Sequence, residues 1–178
     1  MAATTIAIVV PIPGAPGQRL DRLRRLFAGE DGGAMRPHIP LVGPFDAEPS
    51  FLPLEQHCWD VCHKTAAFWV ELGAPEVDAG ERLVYAGVRS GGDELMALRE
   101  ALLTGRYAPP PSDGAFDPRA VIARIEPDED IALAQRETAG LEPVGSFLME
   151  RIDLMARYPD GSWYQRDFYT LDRAVAEA

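Results

Sequence analysis

The chain has 178 residues, 47% of them hydrophobic and 25% charged, with a formal net charge of −11 and a pI of about 4.7. That length suits one domain, or two small lobes sharing a core. The acidic balance argues against long nucleic acid as a partner, because neutralising a phosphate backbone needs a Lys/Arg face, and no apolar stretch reaches membrane-spanning length.

Thr4 to Val10 is apolar and rich in β-branched residues, which predicts a central strand buried on both faces and ended by Pro11 and Pro13-Gly14. A helix follows over 18–28. Its stripe is Leu20, Leu23, Leu26 and Phe27, and Arg19, Arg22, Arg24 and Arg25 fall on a solvated face. The stretch 37–45 predicts a short buried strand, and 51–66 a second helix. Cys58 and Cys62 share the stripe of that second helix with Phe51, Leu54, Val61 and Thr65, so they read as core thiols. His57 and His63 beside them do not complete the four converging ligands of a structural zinc, and no metal or cofactor is expected.

Residues 68–72 and 82–88 predict a strand pair across a turn from Pro75 to Gly80. A third helix is expected over 93–103, a Pro-rich loop over 108–114, a second short strand over 116–125 and a fourth helix over 127–139. A hairpin of 147–158 and 163–171 over Pro159-Asp160-Gly161 closes the chain. The expected class is α+β with mostly antiparallel sheets. The start carries no basic leader and the two cysteines make no disulfide framework, which predicts a cytoplasmic protein. Nothing in the residues sets the oligomeric state.

Two stretches carry the functional reading. Pro37-His38-Ile39-Pro40-Leu41-Val42-Gly43-Pro44-Phe45 places a histidine at the head of an apolar strand. An echo lies 81 residues on (119 − 38), in Phe116-Asp117-Pro118-Arg119-Ala120-Val121-Ile122-Ala123-Arg124. Two such strands, each opening a matching half, predict two lobes around one cleft.

With these motifs the chain resembles the two-histidine (2H) phosphoesterase superfamily, in its 2′-5′ RNA ligase-like and cyclic phosphodiesterase-like branch. The resemblance implies one domain over 1–178, built as two pseudo-symmetric lobes with outer helices around a V-shaped cleft, each lobe supplying one motif strand (37–45 and 116–125). In active members each motif is His-x-Thr or His-x-Ser. One histidine acts as base, the other as acid, and the hydroxyls hold the phosphoryl oxygens, without a metal.

Here His38 matches the first histidine, but Pro40 stands in place of the hydroxyl, and Arg119 and Val121 replace the second pair. Arginine has no acceptor and stays protonated, so it relays no proton. The expected function is therefore binding of a small phosphate-bearing or anionic ligand in the cleft, with the two-histidine reaction lost. His38 and Arg119 would be the principal contacts; the competing reading packs His38 at a strand end and pairs Arg119 with Asp117. Arg124 falls where the family's second motif often carries an arginine, and the competing reading makes it a surface strand charge. Tyr85, Phe116 and Trp163 are candidate stacking surfaces, although lone aromatics in strands more often belong to the core. Two alternatives remain. One is a divergent metal-independent phosphodiesterase with His38 as its single acid/base, and the other a non-catalytic scaffold or interaction protein.

Overall fold

The computed structural model describes residues 4–28, 35–47, 51–106, 108–110, 115–126 and 131–172. Twelve elements follow in chain order: β1 (Thr4–Pro11), α1 (Gly14–Ala28), β2 (His38–Ala47), α2 (Leu52–Cys62), β3 (Phe68–Asp78), β4 (Leu83–Ser90), α3 (Gly92–Leu102), β5 (Arg119–Arg124), α4 (Ile131–Thr138), β6 (Gly145–Met149), β7 (Arg151–Arg157) and β8 (Trp163–Thr170). They form two four-stranded antiparallel sheets, ordered β2-β1-β7-β8 and β5-β4-β3-β6. The α+β class expected from the sequence is thus the observed one. No helix among the described residues is long and apolar enough to cross a membrane.

Strand β1 shows how the sequence builds this arrangement. It lies between β2 and β7, and its alternate residues divide between two faces. Ile6, Ile8 and Val10 join one core cluster that also takes in Leu20, Leu54, Leu72, Leu98 and Ile122. Ala7 and Val9 instead meet Met155, Met35 and Trp163 in a smaller cluster. Helix α1 leaves β1 so tightly that a Cβ on Gly17 would strike the Ile12 carbonyl, which only glycine avoids.

Four expectations change. The predicted arm 147–158 is two strands: β6 pairs with β3, whereas β7 pairs with β1 and β8, and the chain crosses between sheets at Glu150. Strand β3 runs on through Pro75 to Asp78, so the turn falls later than Pro75–Gly80. Past Leu72 this strand has no β6 partner, and a proline there costs no ladder bond on that side. The α2 helix stops at Cys62, with Leu54, Cys58 and Cys62 buried as expected. In α1, Leu26 is 67% exposed, and the place assigned to it on the buried stripe belongs to other side chains. The predicted start of α4 at 127–130 and most of the loop 108–114 lie outside the described residues.

Candidate functional site

The two motif strands occupy matching places in their sheets. In the first sheet Ile8, Val9, Val10 and Pro11 pair with Val42, Pro40, Ile39 and His38, and Leu41 is left over as a bulge. In the second, Val84, Tyr85, Ala86 and Gly87 pair with Ala123, Val121, Ala120 and Arg119, leaving Ile122 as the extra residue. Burial repeats as well. His38 and Arg119 are half-buried, Ile39 and Ala120 buried, Pro40 and Val121 exposed, and the next two residues of each strand buried. The next strand over continues the match, since Val9 faces Asp153 where Tyr85 faces Glu76. Bulges re-aim side chains at sheet edges, and here both edges carry the same one. Arg119 therefore stands where His38 stands, and Val121 where Pro40 stands.

The chemistry at those two places differs. His38 Nδ1 lies 2.8 Å from the Arg36 carbonyl oxygen. A carbonyl only accepts, so Nδ1 carries the proton and Nε2 is left as an acceptor. Burial lowers the His38 pKa below its ordinary value, and the nearby Arg24 cation adds to that against the Arg36 hydrogen bond. The imidazole is thus neutral at neutral pH.

Arg119, by contrast, is ringed by carboxylates. Its Nη2 donates to Glu81 Oε2 at 2.5 Å, and its Nη1 lies 3.5 Å from Asp78 Oδ2 and 3.7 Å from Asp117 Oδ2. The guanidinium also sits 5.1 Å over the Tyr85 ring. Tyr85 in turn reaches Glu76 at 3.4 Å, and burial followed by the Glu76 and Asp117 charges pushes its phenol up. A bound anion would have to compete with three acids for Arg119. The Asp117 contact is the one that the ion-pairing reading of Arg119 expects.

Between β2 and β5 lies a pocket of about 290 Å³ lined by Arg24, His38, Pro40 and the 121–124 stretch of β5. Arg124 is exposed and, among the described residues, its side chain has no partner. Arg24 corrects the reading of α1 as a helix whose arginines all face water. It donates to the Met35 carbonyl at 2.7 Å, its Nε is buried with no hydrogen-bond partner among the described residues, and burial lowers its pKa. The signal was present in the spacing: Leu20, Leu23, Arg24 and Phe27 follow the i, i+3, i+4, i+7 rhythm of a core-facing stripe. Pro40 and Val121 leave this pocket without a hydroxyl at either motif position.

His38 also borders a second concavity of about 300 Å³, together with Val9, Asp153, Met155, Trp163 and Gln165. Trp163 is thus brought to His38. Asp153 is 6% exposed there, with Arg151 Nε at 3.1 Å from Oδ1; burial pushes its carboxyl up and Arg151 opposes that. Phe116 lies elsewhere. It packs on the main core with the Arg99 guanidinium 4.9 Å over its ring, and it lines neither concavity. Cys58 and Cys62 are buried free thiols pushed up to about 12, which keeps them protonated. No group of three or more His, Cys, Asp or Glu is placed to hold a metal ion among the described residues.

The model of the 2′-5′ RNA ligase superfamily matches residues 12–161 of this sequence. The chain belongs to that superfamily. Solved structures share its architecture at low identity. Escherichia coli LigT in its apo form gives a TM-score of 0.70 at 17% identity, over 97% of this chain and 100% of LigT. A protein of Thermus thermophilus gives 0.69 at 18% identity, over 96% and 99% of the two chains. LigT with NADP+ gives 0.67 at 16% identity, over 96% and 99%. LigT has also been solved with 3′-AMP, ATP and phosphate. At such identities the likeness establishes the fold. A search of the curated proteins finds no match. The superfamily read from the two motif stretches is the one whose model matches residues 12–161, and the two sheets are those of the LigT-like fold.

Proposed function

We propose that this superfamily member binds a small phosphoester or nucleotide-like anion between β2 and β5, and that the paired-histidine reaction has been lost. One observation carries the reading: two guanidiniums, Arg24 and Arg124, share a pocket with a neutral imidazole, and among the described residues no acid lines it. In a chain of net charge −11 such a pocket is a local reversal of sign. Planar guanidiniums suit phosphate oxygens, and His38 Nε2 accepts a hydrogen bond from a ligand hydroxyl or a protonated phosphate. The nucleotide and phosphate complexes of LigT agree with that ligand class.

Two-histidine chemistry needs one group that takes a proton and another that gives one on opposite sides of the phosphorus. His38 suits the first role. Arg119 has no acceptor and its charge is held by Asp78, Glu81 and Asp117, so the second role is empty. We read residues 1–178 as one domain of two lobes that supply the strands 37–45 and 116–125. The buried, unpaired thiols suit a reducing compartment such as the cytoplasm.

Titration calorimetry with inorganic phosphate and 3′-AMP tests the reading. Arg124→Gln should weaken both by about tenfold or more, the loss expected for a charge-assisted contact. Arg119→Gln should change neither by more than about threefold, since that cation is already matched by acids. Absence of binding to the unsubstituted chain would overturn the proposal. The free Nε2 favours one second reading, a phosphodiesterase with His38 as its only acid/base. Chromatography of 2′,3′-cyclic nucleotides after incubation decides between them, because turnover that disappears in His38→Ala would replace the binder by the enzyme.

A further inference from the structure

We propose that the anion held by Arg124 carries an apolar arm, and that the arm lies in a separate hollow bounded by α1, β5 and α4. The inference rests on the anion-binding reading above and adds the class of ligand, a phosphate ester of an apolar alcohol.

The hollow measures about 380 Å³ and is lined by Leu26, Phe27, Val84, Ile125, Leu133 and Ala134. That volume falls within the usual range for a small-molecule site. Leu26 is 67% and Leu133 47% exposed. A single exposed leucine is ordinary. Here two of them, from helices more than a hundred residues apart in sequence, border one hollow walled by Val84, Ile125 and Phe27. An apolar patch with a concave floor is the kind that marks a ligand groove.

The hollow adjoins the anion pocket. Ala123 and Arg124 line both. Ala123 offers only a methyl group at the junction, and the Arg124 side chain has no partner on either side among the described residues. A phosphate at Arg124 can therefore extend its ester group away from His38 and into the hollow. Among the described residues Glu137 is the one acid that lines the hollow, and it disfavours a second anionic group on the arm.

The concavity beside Trp163 is the other place for an arm. It shares His38 with the anion pocket and contains Arg36, Asp153 and Gln165, polar groups that require hydrogen-bonding partners, and neither Arg24 nor Arg124 lines it. Both its polarity and the absence of Arg24 and Arg124 from its lining favour the hollow over it.

The test uses the full chain and titration calorimetry with inorganic phosphate, methyl phosphate, n-hexyl phosphate and adenosine 5′-monophosphate. Each buried methylene should tighten binding by about fourfold, so hexyl phosphate should bind at least tenfold tighter than methyl phosphate. The double variant Leu26→Ser/Leu133→Ser should cut that ratio by at least about threefold and leave methyl phosphate unchanged. Both leucines are exposed, so the variant keeps its core.

Equal binding of hexyl and methyl phosphate, or a gain indifferent to the leucines, would overturn the inference while the anion site stood. A larger gain with adenosine 5′-monophosphate, lost in Trp163→Ala, would move the arm to the other concavity and also overturn it. If inorganic phosphate and every ester failed to bind, the anion site itself would fall and this inference with it.

Discussion

The two motif strands have one backbone and two chemistries. In β2 and β5 the same four pairs form with the neighbouring strand, the same bulge follows, and buried and exposed positions alternate in step. Yet one strand presents a neutral imidazole and the other a cation surrounded by acids. The inward residues Ile39, Leu41, Ala120 and Ile122 meet the core and set the register. The residues at 38, 40, 119 and 121 lie on the opposite face, outside the core that sets the register, so chemistry can change there while the strand stays.

The strongest way to break this comparison is to restore the missing chemistry. Arg119→His with Val121→Thr and Pro40→Thr gives both strands the His-x-Thr pattern. An imidazole at position 119 would lie beside Asp78, Glu81 and Asp117, which favour its charged form and suit it to give a proton. His38, with its lowered pKa, suits the base. We expect cleavage of a 2′,3′-cyclic nucleotide to rise at least about 10²-fold over the unsubstituted chain, the lower end of what an acid/base group contributes. The product is measured by chromatography, and the pH profile should be bell-shaped. A folded but inert triple variant would show that the strands differ in more than their outward residues.

A smaller effect is expected on stability. Arg119 is the cation common to Asp78, Glu81 and Asp117, with its side chain only 16% exposed. Arg119→Gln leaves three acids facing one another and should cost about 1–2 kcal/mol, or roughly 2–6 °C in Tm. Adding Asp78→Asn and Glu81→Gln to that variant should recover part of the loss. Thermal unfolding checks both. If Arg119→Gln leaves Tm unchanged, the acids are too well solvated to matter, and Arg119 is freer for a ligand than its contacts imply.

What the sequence revealed, and what it hid, follows the same division. Thr4 to Val10 was legible as a central strand because burial on both faces leaves a continuous apolar run. The His38 and Arg119 strands were legible because each opens with a proline and a polar residue before a run of small and aliphatic residues. Arg24 was missed because Leu26, one apolar residue too many, completed a stripe without it. An arginine at a core-facing position gives no apolar signal, although the spacing from Leu20 and Leu23 marks it.

The split at Glu150 was not legible for another reason. Strand alternation reports which face is buried and not which sheet a strand joins. The acids around Arg119 are similar. Glu81 lies 38 residues earlier, and only the pairing of β4 with β5 brings the turn before β4 to the motif.

The smallest effect sharpens the comparison through pH. His38 titrates below its ordinary value of about 6.5 in the folded chain, chiefly because of burial. As pH falls through that range the unfolded chain takes up the proton first, so stability falls with pH, and the penalty is absent above about 6.5. His38→Gln removes it. The Tm difference between His38→Gln and the unsubstituted chain should therefore move in favour of the variant between about pH 7.5 and pH 5.5. Asp153, pushed up by burial, contributes with the opposite sign, but it is present in both proteins and cancels in the difference. The same scan on Arg119→His should run the other way. An imidazole among three carboxylates is raised, so its stabilisation is present at low pH and lost as pH rises through its folded value. Opposite slopes at two positions with one backbone register would attribute the difference to the neighbouring charges. Parallel slopes would mean that the carboxylate ring does not reach the outward position of β5.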